Sequence, residues 1–405
     1  MSIKQVDIMD FKQQVPKFQA MLLEYSSFII VPFIICIYFS TALSSILSVL
    51  VIVLWLCSGQ FMVLPATLKK YPVAAWSMLL YVYFICASAY GTASKAEVIY
   101  TLTKYIEFFF IPLLVVFFTM EPQRNRAWKA IIAASVITLL GSYLMYFGLL
   151  GDIKQLDPSF KSRITHSILI AFFAFFCLHN IYAGKTYRLA YSLLFIGSAY
   201  NIFFIVSGRT GQLIFIALIL LFALQKLDRK KLALTVVLLS IFLVGFACFS
   251  DKAGRLYEGI ANTEAYFQPI PEQTDSSMGL RYTFWRNSLK LIAEKPWFGQ
   301  GTGGFIGAYQ RVAENTPPTK NPHNEFLRIT VELGLVGLLV YSGFLFSQFY
   351  YAYRLPDNEK YLAQGVLITL LITSLFNSPF LDHTEGHWFA VLITLCCGPL
   401  KKADA

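Results

Sequence analysis

The sequence predicts an all-α polytopic membrane protein, and three observations predict it. Of 405 residues, 57% are hydrophobic and only 14% are charged, where a soluble domain carries about 25% charged residues. The mean hydropathy is +0.59. Apolar runs recur along the whole chain, each close to the ~20 residues that carry a helix across a hydrocarbon core. A spanning segment must pair its backbone groups internally, so these runs are read as helices. The pattern excludes a soluble enzyme, a disordered tail and a single-span receptor.

About twelve transmembrane helices are expected, near 25–40, 42–64, 72–90, 100–120, 127–150, 164–184, 187–207, 209–226, 231–249, 330–354, 360–380 and 386–400. The first 24 residues are polar, and no small-residue cleavage site follows the first run, so no removable signal peptide is expected. Basic residues cluster between the runs. With the N-terminus inside, eighteen Lys and Arg fall in short inside segments, among them Lys69, Lys70, Arg124, Arg126, Lys129 and Lys226. The short outside segments hold five: Lys95, Lys154, Lys161, Arg163 and Arg209. Lys and Arg favour the cytoplasmic side, so both termini are expected there. The net charge of +10 is thus a topology signal, and no nucleic-acid partner is expected.

Three regions follow. Residues 1–249 hold the first nine spans, 250–329 form a large outside loop, and 330–405 hold the last three spans and a cytoplasmic C-terminus. The loop contains Pro269, Pro271, Pro296, Pro317, Pro318 and Pro322. Loops this long in compact proteins are usually functional. An amphipathic helix is expected near Gly279–Glu294, where Leu280, Phe284, Ser288 and Leu291 share a face at helical spacing. The string GQGTGG at 299–304 lacks the preceding strand of a nucleotide fingerprint and is read as a flexible turn. The seven cysteines all lie in or beside apolar runs, which argues for buried thiols rather than a disulfide framework or a metal cluster.

The chemistry-bearing residues gather at the outer face. Arg209 sits in SGRTGQ, a tight turn between the seventh and eighth spans. Its guanidinium matches phosphate oxygens; the alternative is a turn arginine snorkelling to lipid headgroups. Arg281 and Arg286 lie on the loop helix, about 140° apart around its axis, so they need not face one ligand. His323, in NPHNEF, follows Pro322 just before the tenth span. Histidine titrates near neutrality and can take a proton from a hydroxyl. Lys104 and Glu107, near the outer end of the fourth span, are spaced to pair with each other. His383 and His387 are four apart but not in an HExxH motif, so no metal is expected there. Arg163 and His166 open the sixth span as substrate-binding candidates.

SGRTGQ, the arginine-bearing loop helix, the Pro-x-x-Gly-x-Gly pattern of Pro296, Gly299 and Gly301, and NPHNEFL with Glu332 and Gly334 together resemble the O-antigen ligase family. The resemblance runs from about Arg163 to the twelfth span. It implies a GT-C-type glycosyltransferase, metal-independent and without cofactor, at the periplasmic face of the Gram-negative inner membrane. The implied donor is a glycan on undecaprenyl diphosphate, and the implied acceptor is a sugar of lipid A–core. The family's general base falls on His323. Its diphosphate-binding arginines fall on Arg209 and Arg281, with Arg163 a further candidate and Arg286, Asn324, Glu325, His166 and Lys104 in support. Membrane lipids are the expected surroundings, and a monomer is expected. A polymerase or a protein O-oligosaccharyltransferase would use the same donor; the first typically carries two large outside loops, and the second is commonly longer. A lipid-linked glycan flippase would instead show broken spans in paired halves and charges near the midplane.

Overall fold

The computed structural model describes residues 17–150, 157–184, 186–267, 276–313 and 317–399. The polar stretch before residue 17, Lys154, Lys185, Pro269, Pro271 and the C-terminal Lys401 and Lys402 lie outside the described residues. Among the described residues every regular element is helical.

Helices α1 (Lys17–Phe39) and α2 (Thr41–Cys57) meet at Ser40, whose hydroxyl caps α2 by accepting from the Leu43 N–H at 3.3 Å. A 3₁₀ turn (Gln60–Val63) and α3 (Leu64–Lys70) bend away from α2 by 82°. After α4 (Pro72–Ala87), the fourth expected span is two helices, α5 (Lys95–Lys104) and α6 (Glu107–Phe117). Then come α7 (Glu121–Tyr146), α8 (Arg163–Tyr182), α9 (Arg188–Tyr200), α10 (Arg209–Lys226) and α11 (Arg229–Phe249). The long loop before the last three expected spans folds into α12 (Gly254–Phe267), α13 (Ser277–Glu294) and α14 (Gly304–Val312). The chain ends in α15 (Glu325–Ala352), α16 (Asp357–Phe376) and α17 (His383–Cys397).

Each of the twelve expected runs has a helical counterpart. Eight helical segments are long and apolar enough to cross a membrane, counting α5 with α6, and the bent pair of α2 with α3 adds a ninth. Phe28–Phe39 and α4 are apolar but shorter. In α11 only 6% of the most apolar stretch is buried, and Leu234, Val237, Ile241 and Val244 point outward. Water would penalise such a surface and hydrocarbon would not. The protein is a multi-pass membrane protein. At its centre Phe108 of α6 packs on Phe380, in the turn just before α17, and on Phe344 of α15, with ring centroids 4.4 and 5.4 Å away.

The amphipathic loop helix forms as expected. Ser276 caps α13 by accepting from Gly279 N–H at 3.0 Å. Phe284, Ser288 and Leu291 are buried, and a small core of Phe284, Leu291, Phe305, Ala308 and Tyr309 joins α13 and α14 to Val331 of α15. Helices α12 and α14 were not foreseen, because neither carries a long apolar stripe.

The reading of 299–304 as a flexible turn is corrected. Helix α15 is broken at Gly334, which has φ 69° and ψ −168°. The break strips carbonyls and N–H groups of their helical partners, and the segment from Pro296 to Gly301 replaces them. Gln300 N–H donates to Val331 O at 2.8 Å, and Gly301 N–H to Glu332 O at 2.8 Å. In return Leu335 N–H donates to Pro296 O at 2.7 Å, and Val336 N–H to Trp297 O at 3.3 Å. Tyr83 completes the set, its hydroxyl donating to Leu333 O at 2.9 Å. Glycine is required by close approach as well as by φ. A Cβ on Gly334 would lie 2.2 Å from Trp297 O, and one on Gly301 2.4 Å from Gly91 Cα.

Gly334→Ala is therefore expected to lower the unfolding midpoint in detergent, by at least the ~1–3 kcal/mol of a side chain held in this backbone region. Gly245→Ala, whose Cβ meets open space, is the control and should leave the midpoint unchanged or slightly raised.

Candidate functional site

Helices α8 and α10 begin side by side. A Cβ on Gly208 would lie 2.9 Å from Arg163 O, and one on Gly211 2.3 Å from Ser167. The two glycines of SGRTGQ thus allow the close crossing that sets Arg209 at the first turn of α10, beside the start of α8. The Arg209 guanidinium lies against Gly259 of α12 and 3.7 Å from Glu258 Oε2. That pair is partly exposed and contributes little to stability. An open groove of about 280 Å³ runs along Arg209, Gly259, Ile260, Thr263, Glu264 and Met278.

Arg281 projects from α13 close enough to Arg209 that the two positive charges repel, and both that charge and burial disfavour its ionised form, burial most. Among the described residues Arg281 has neither a carboxylate nor a hydrogen-bond partner. Arg281 is half-buried, and a guanidinium so placed beside a second one is suited to binding an anion. Arg281 in turn acts on His323. Burial, first, and the Arg281 charge, second, push the His323 imidazole below its ordinary pKa of 6.5. The ring is therefore neutral at neutral pH.

His323 is held tightly. Among the described residues it is the only non-glycine with positive φ, at 53°. Its backbone N–H donates to Asn321 Oδ1 at 2.8 Å, and the same oxygen accepts from Ser378 Oγ at 2.8 Å. Trp285 Nε1 donates to Pro322 O at 3.0 Å, and the Phe284 ring stacks on the imidazole at 6.3 Å. A side chain in this region persists only when its surroundings over-determine it, a condition common at functional sites. His323 Nδ1 lies 3.4 Å from Asn377 Oδ1.

The other sequence candidates divide. Asn324 caps α15, accepting from Leu327 N–H at 3.0 Å, and Glu325 is fully buried, accepting from Tyr105 OH at 2.7 Å and Phe380 N–H at 3.2 Å. Both hold the helix that begins just after His323. Arg163 and Arg286 are exposed and make no ion pair among the described residues. His166 is corrected: it is buried, and its Nε2 is 2.9 Å from Asn201 Oδ1, whose amide donates to Ser142 at 2.8 Å. It joins α8 to the residues that follow α9 instead of facing a substrate.

The expected Lys104–Glu107 pair is also corrected. Glu107 Oε1 is 3.0 Å from His383 Nδ1 and 3.6 Å from His387 Nε2. Lys104 Nζ instead lies 5.8 Å from the Tyr100 ring centre. The break between α5 and α6 turns the lysine and the carboxylate apart. The ligand atoms of Glu107, His383 and His387 lie within 4.8 Å of one another, a set that sequence spacing alone did not suggest.

Residues 189–342 match the family model described as O-antigen ligase. Over that stretch the chain is similar to the O-antigen ligase family. The match takes in Arg209, Arg281 and His323, whereas Asn377 and Glu385 fall beyond it. An O-antigen ligase from Pseudomonas aeruginosa is 26% identical over 127 residues, which cover 30% of each chain. An uncharacterized protein from Haemophilus influenzae is 25% identical over 311 residues, covering 71% of this chain and 76% of its own.

Histidine-selective NMR should show His323 titrating below pH 6.5. Replacing Arg281 by Gln removes a nearby positive charge and should move that titration upward. An unchanged value would separate the two residues electrostatically.

Proposed function

We propose that the protein is an O-antigen ligase that transfers a glycan from undecaprenyl diphosphate to lipid A–core at the periplasmic face of the Gram-negative inner membrane. A ligase- or polymerase-type role in lipopolysaccharide biosynthesis follows from the family. The finer reading rests on one observation: a histidine in a constrained backbone position stands near an arginine pair, one member of which has no carboxylate partner among the described residues.

Arg209 and Arg281, with Arg163 at the rim, would hold the diphosphate at the membrane interface. The lipid tail would lie along the apolar helices. His323 Nε2 takes the proton of the acceptor hydroxyl as its oxygen bonds to the anomeric carbon. The bond from that carbon to the diphosphate breaks on the opposite side, its electrons leave with the phosphate, and the configuration inverts. Cationic groups preorganised at the leaving oxygen stabilise the charge that develops there. Both termini lie in the cytoplasm in this reading, and the step itself uses a base and arginines without a metal.

Purified protein in nanodiscs, given undecaprenyl-diphosphate-linked glycan and lipid A–core, should yield glycosylated lipid A–core, resolved by gel and mass spectrometry. His323→Ala should lower kcat about 10²–10⁴-fold, the usual contribution of a positioned base. Arg281→Gln should weaken donor use more than acceptor use. The wild-type rate should fall as pH drops through the His323 pKa, below 6.5, because the protonated ring cannot accept the proton. Longer glycans still on undecaprenyl diphosphate would make the protein a polymerase. Loss of activity in EDTA would shift attention to Glu107, His383 and His387.

A further inference from the structure

We propose that Asn377 and Glu385 are positioning residues for His323, forming a hydrogen-bonded chain that sets which imidazole nitrogen carries the proton. The inference rests on the reading of His323 as the base and names what makes it one. His323 Nδ1 is 3.4 Å from Asn377 Oδ1; Asn377 Nδ2 donates to Glu385 Oε2 at 3.1 Å; Thr165 Oγ1 donates to Glu385 Oε1 at 2.8 Å. Four segments meet in this chain: the approach to α15, the end of α16, the start of α17 and the start of α8.

The backbone fixes each member. Asn377 ends α16, its N–H donating to Thr373 O at 2.7 Å and its carbonyl accepting from Glu325 N–H at 3.1 Å. Glu385 lies in the first turn of α17, is 2% exposed, and has its N–H capped by Asp382 at 3.3 Å. Turning over either side chain would break these bonds.

The logic is one of donors and acceptors. A carboxylate only accepts, whereas an amide donates at one end and accepts at the other. In the structure both Glu385 oxygens accept, Oε2 from Asn377 Nδ2 and Oε1 from Thr165 Oγ1, and the Asn377 amide oxygen is left facing His323. Only a protonated Nδ1 can bond to that oxygen, so the neutral ring keeps its lone pair on Nε2. Reversing the amide would set an N–H against Nδ1, move the proton to Nε2 and remove the base. When Nε2 takes the acceptor's proton, the imidazolium still donates from Nδ1 to a carbonyl polarised by the carboxylate behind it. Asn377 and Glu385 exchange no proton in this step; they orient the ring and stabilise its charge, as outer partners of a histidine commonly do.

The groups acting on His323 oppose each other. Arg281, from α13, disfavours the imidazolium. The hydrogen bond to Asn377, at the end of α16, favours it. Glu325 of α15 is engaged by Tyr105 and the Phe380 N–H, and Lys320, in the same connecting segment, points to the Tyr100 ring.

The test compares wild type, His323→Ala, Asn377→Ala, Asn377→Asp and Glu385→Gln in nanodiscs, with undecaprenyl-diphosphate-linked O-antigen and lipid A–core. Turnover and donor KM are followed from roughly pH 5 to 8. Asn377→Ala and Glu385→Gln are expected to lose on the order of 100-fold in kcat, the low end for loss of a positioned base, with donor KM little changed. Asn377→Asp keeps an acceptor at Nδ1 and adds negative charge, so it should retain more activity and move the acid limb upward by about one pH unit. If His323→Ala is inactive while Asn377→Ala and Glu385→Gln keep wild-type kcat and acid limb, the positioning chain is wrong and the base reading stands. If His323→Ala turns over normally, the base reading fails and takes the chain with it. Nitrogen-15 shifts of His323 in the unmodified protein decide independently of any variant's folding. A neutral ring protonated at Nδ1 supports the chain, and one protonated at Nε2 overturns it.

Discussion

The break in α15 at Gly334 is the constraint on which the rest of the site depends. Hydrocarbon offers no hydrogen-bond partner, so a helix interrupted there must find replacements within the protein. The segment from Pro296 to Gly301 supplies them in both directions, donating from Gln300 and Gly301 and accepting at Pro296 and Trp297. The long loop is thereby joined to the membrane helices by backbone bonds. The neighbouring buried pair of Arg328 and Glu332, 2.8 Å apart, reinforces the joint: Arg328 also donates to Lys320 O at 2.9 Å, and Glu332 accepts from Phe305 N–H at 3.3 Å. With the loop fixed in this way, α13 is held over the start of α15, and Arg281 and Phe284 come to stand beside His323.

The site draws its parts from elements with different structural duties. Arg209 belongs to a membrane helix, Arg281 to the loop, and His323 to the connection between loop and helix. Asn377 and Glu385 come from the last two helices. Each part is individually unfavourable in the free protein: two arginines repel, one lacks a carboxylate partner among the described residues, and a histidine occupies a backbone region that suits glycine. Conflicts of this kind collect where function requires them, because the surrounding packing tolerates what local preference opposes. A bound dianion would relieve the arginine repulsion and release Arg209 from Glu258.

Much of this was legible in the residues. The apolar runs located the helices, since hydropathy is a property of consecutive residues and a spanning helix closes its hydrogen bonds within itself. The spacing of Leu280, Phe284, Ser288 and Leu291 announced α13. Residue type and position marked Arg209 and His323 as candidates, since a guanidinium matches phosphate oxygens and an imidazole titrates near neutrality, and the family resemblance added Arg281. Local reasoning failed where a partner lies far along the chain. His166 was spent on Asn201, and Glu107 turned from Lys104 toward His383, 276 residues away. Thr165 reaches Glu385 across 220 residues, as Tyr105 reaches Glu325.

The sequence by itself determined that this is a multi-pass helical protein with one large structured loop and which side chains are able to do chemistry. Only the tertiary structure decided which of them meet, which imidazole nitrogen faces an amide oxygen, and why six residues rich in glycine are a buried joint. Those outcomes depend on pairings between segments tens to hundreds of residues apart, and such pairings are set by packing rather than by any local run of residues.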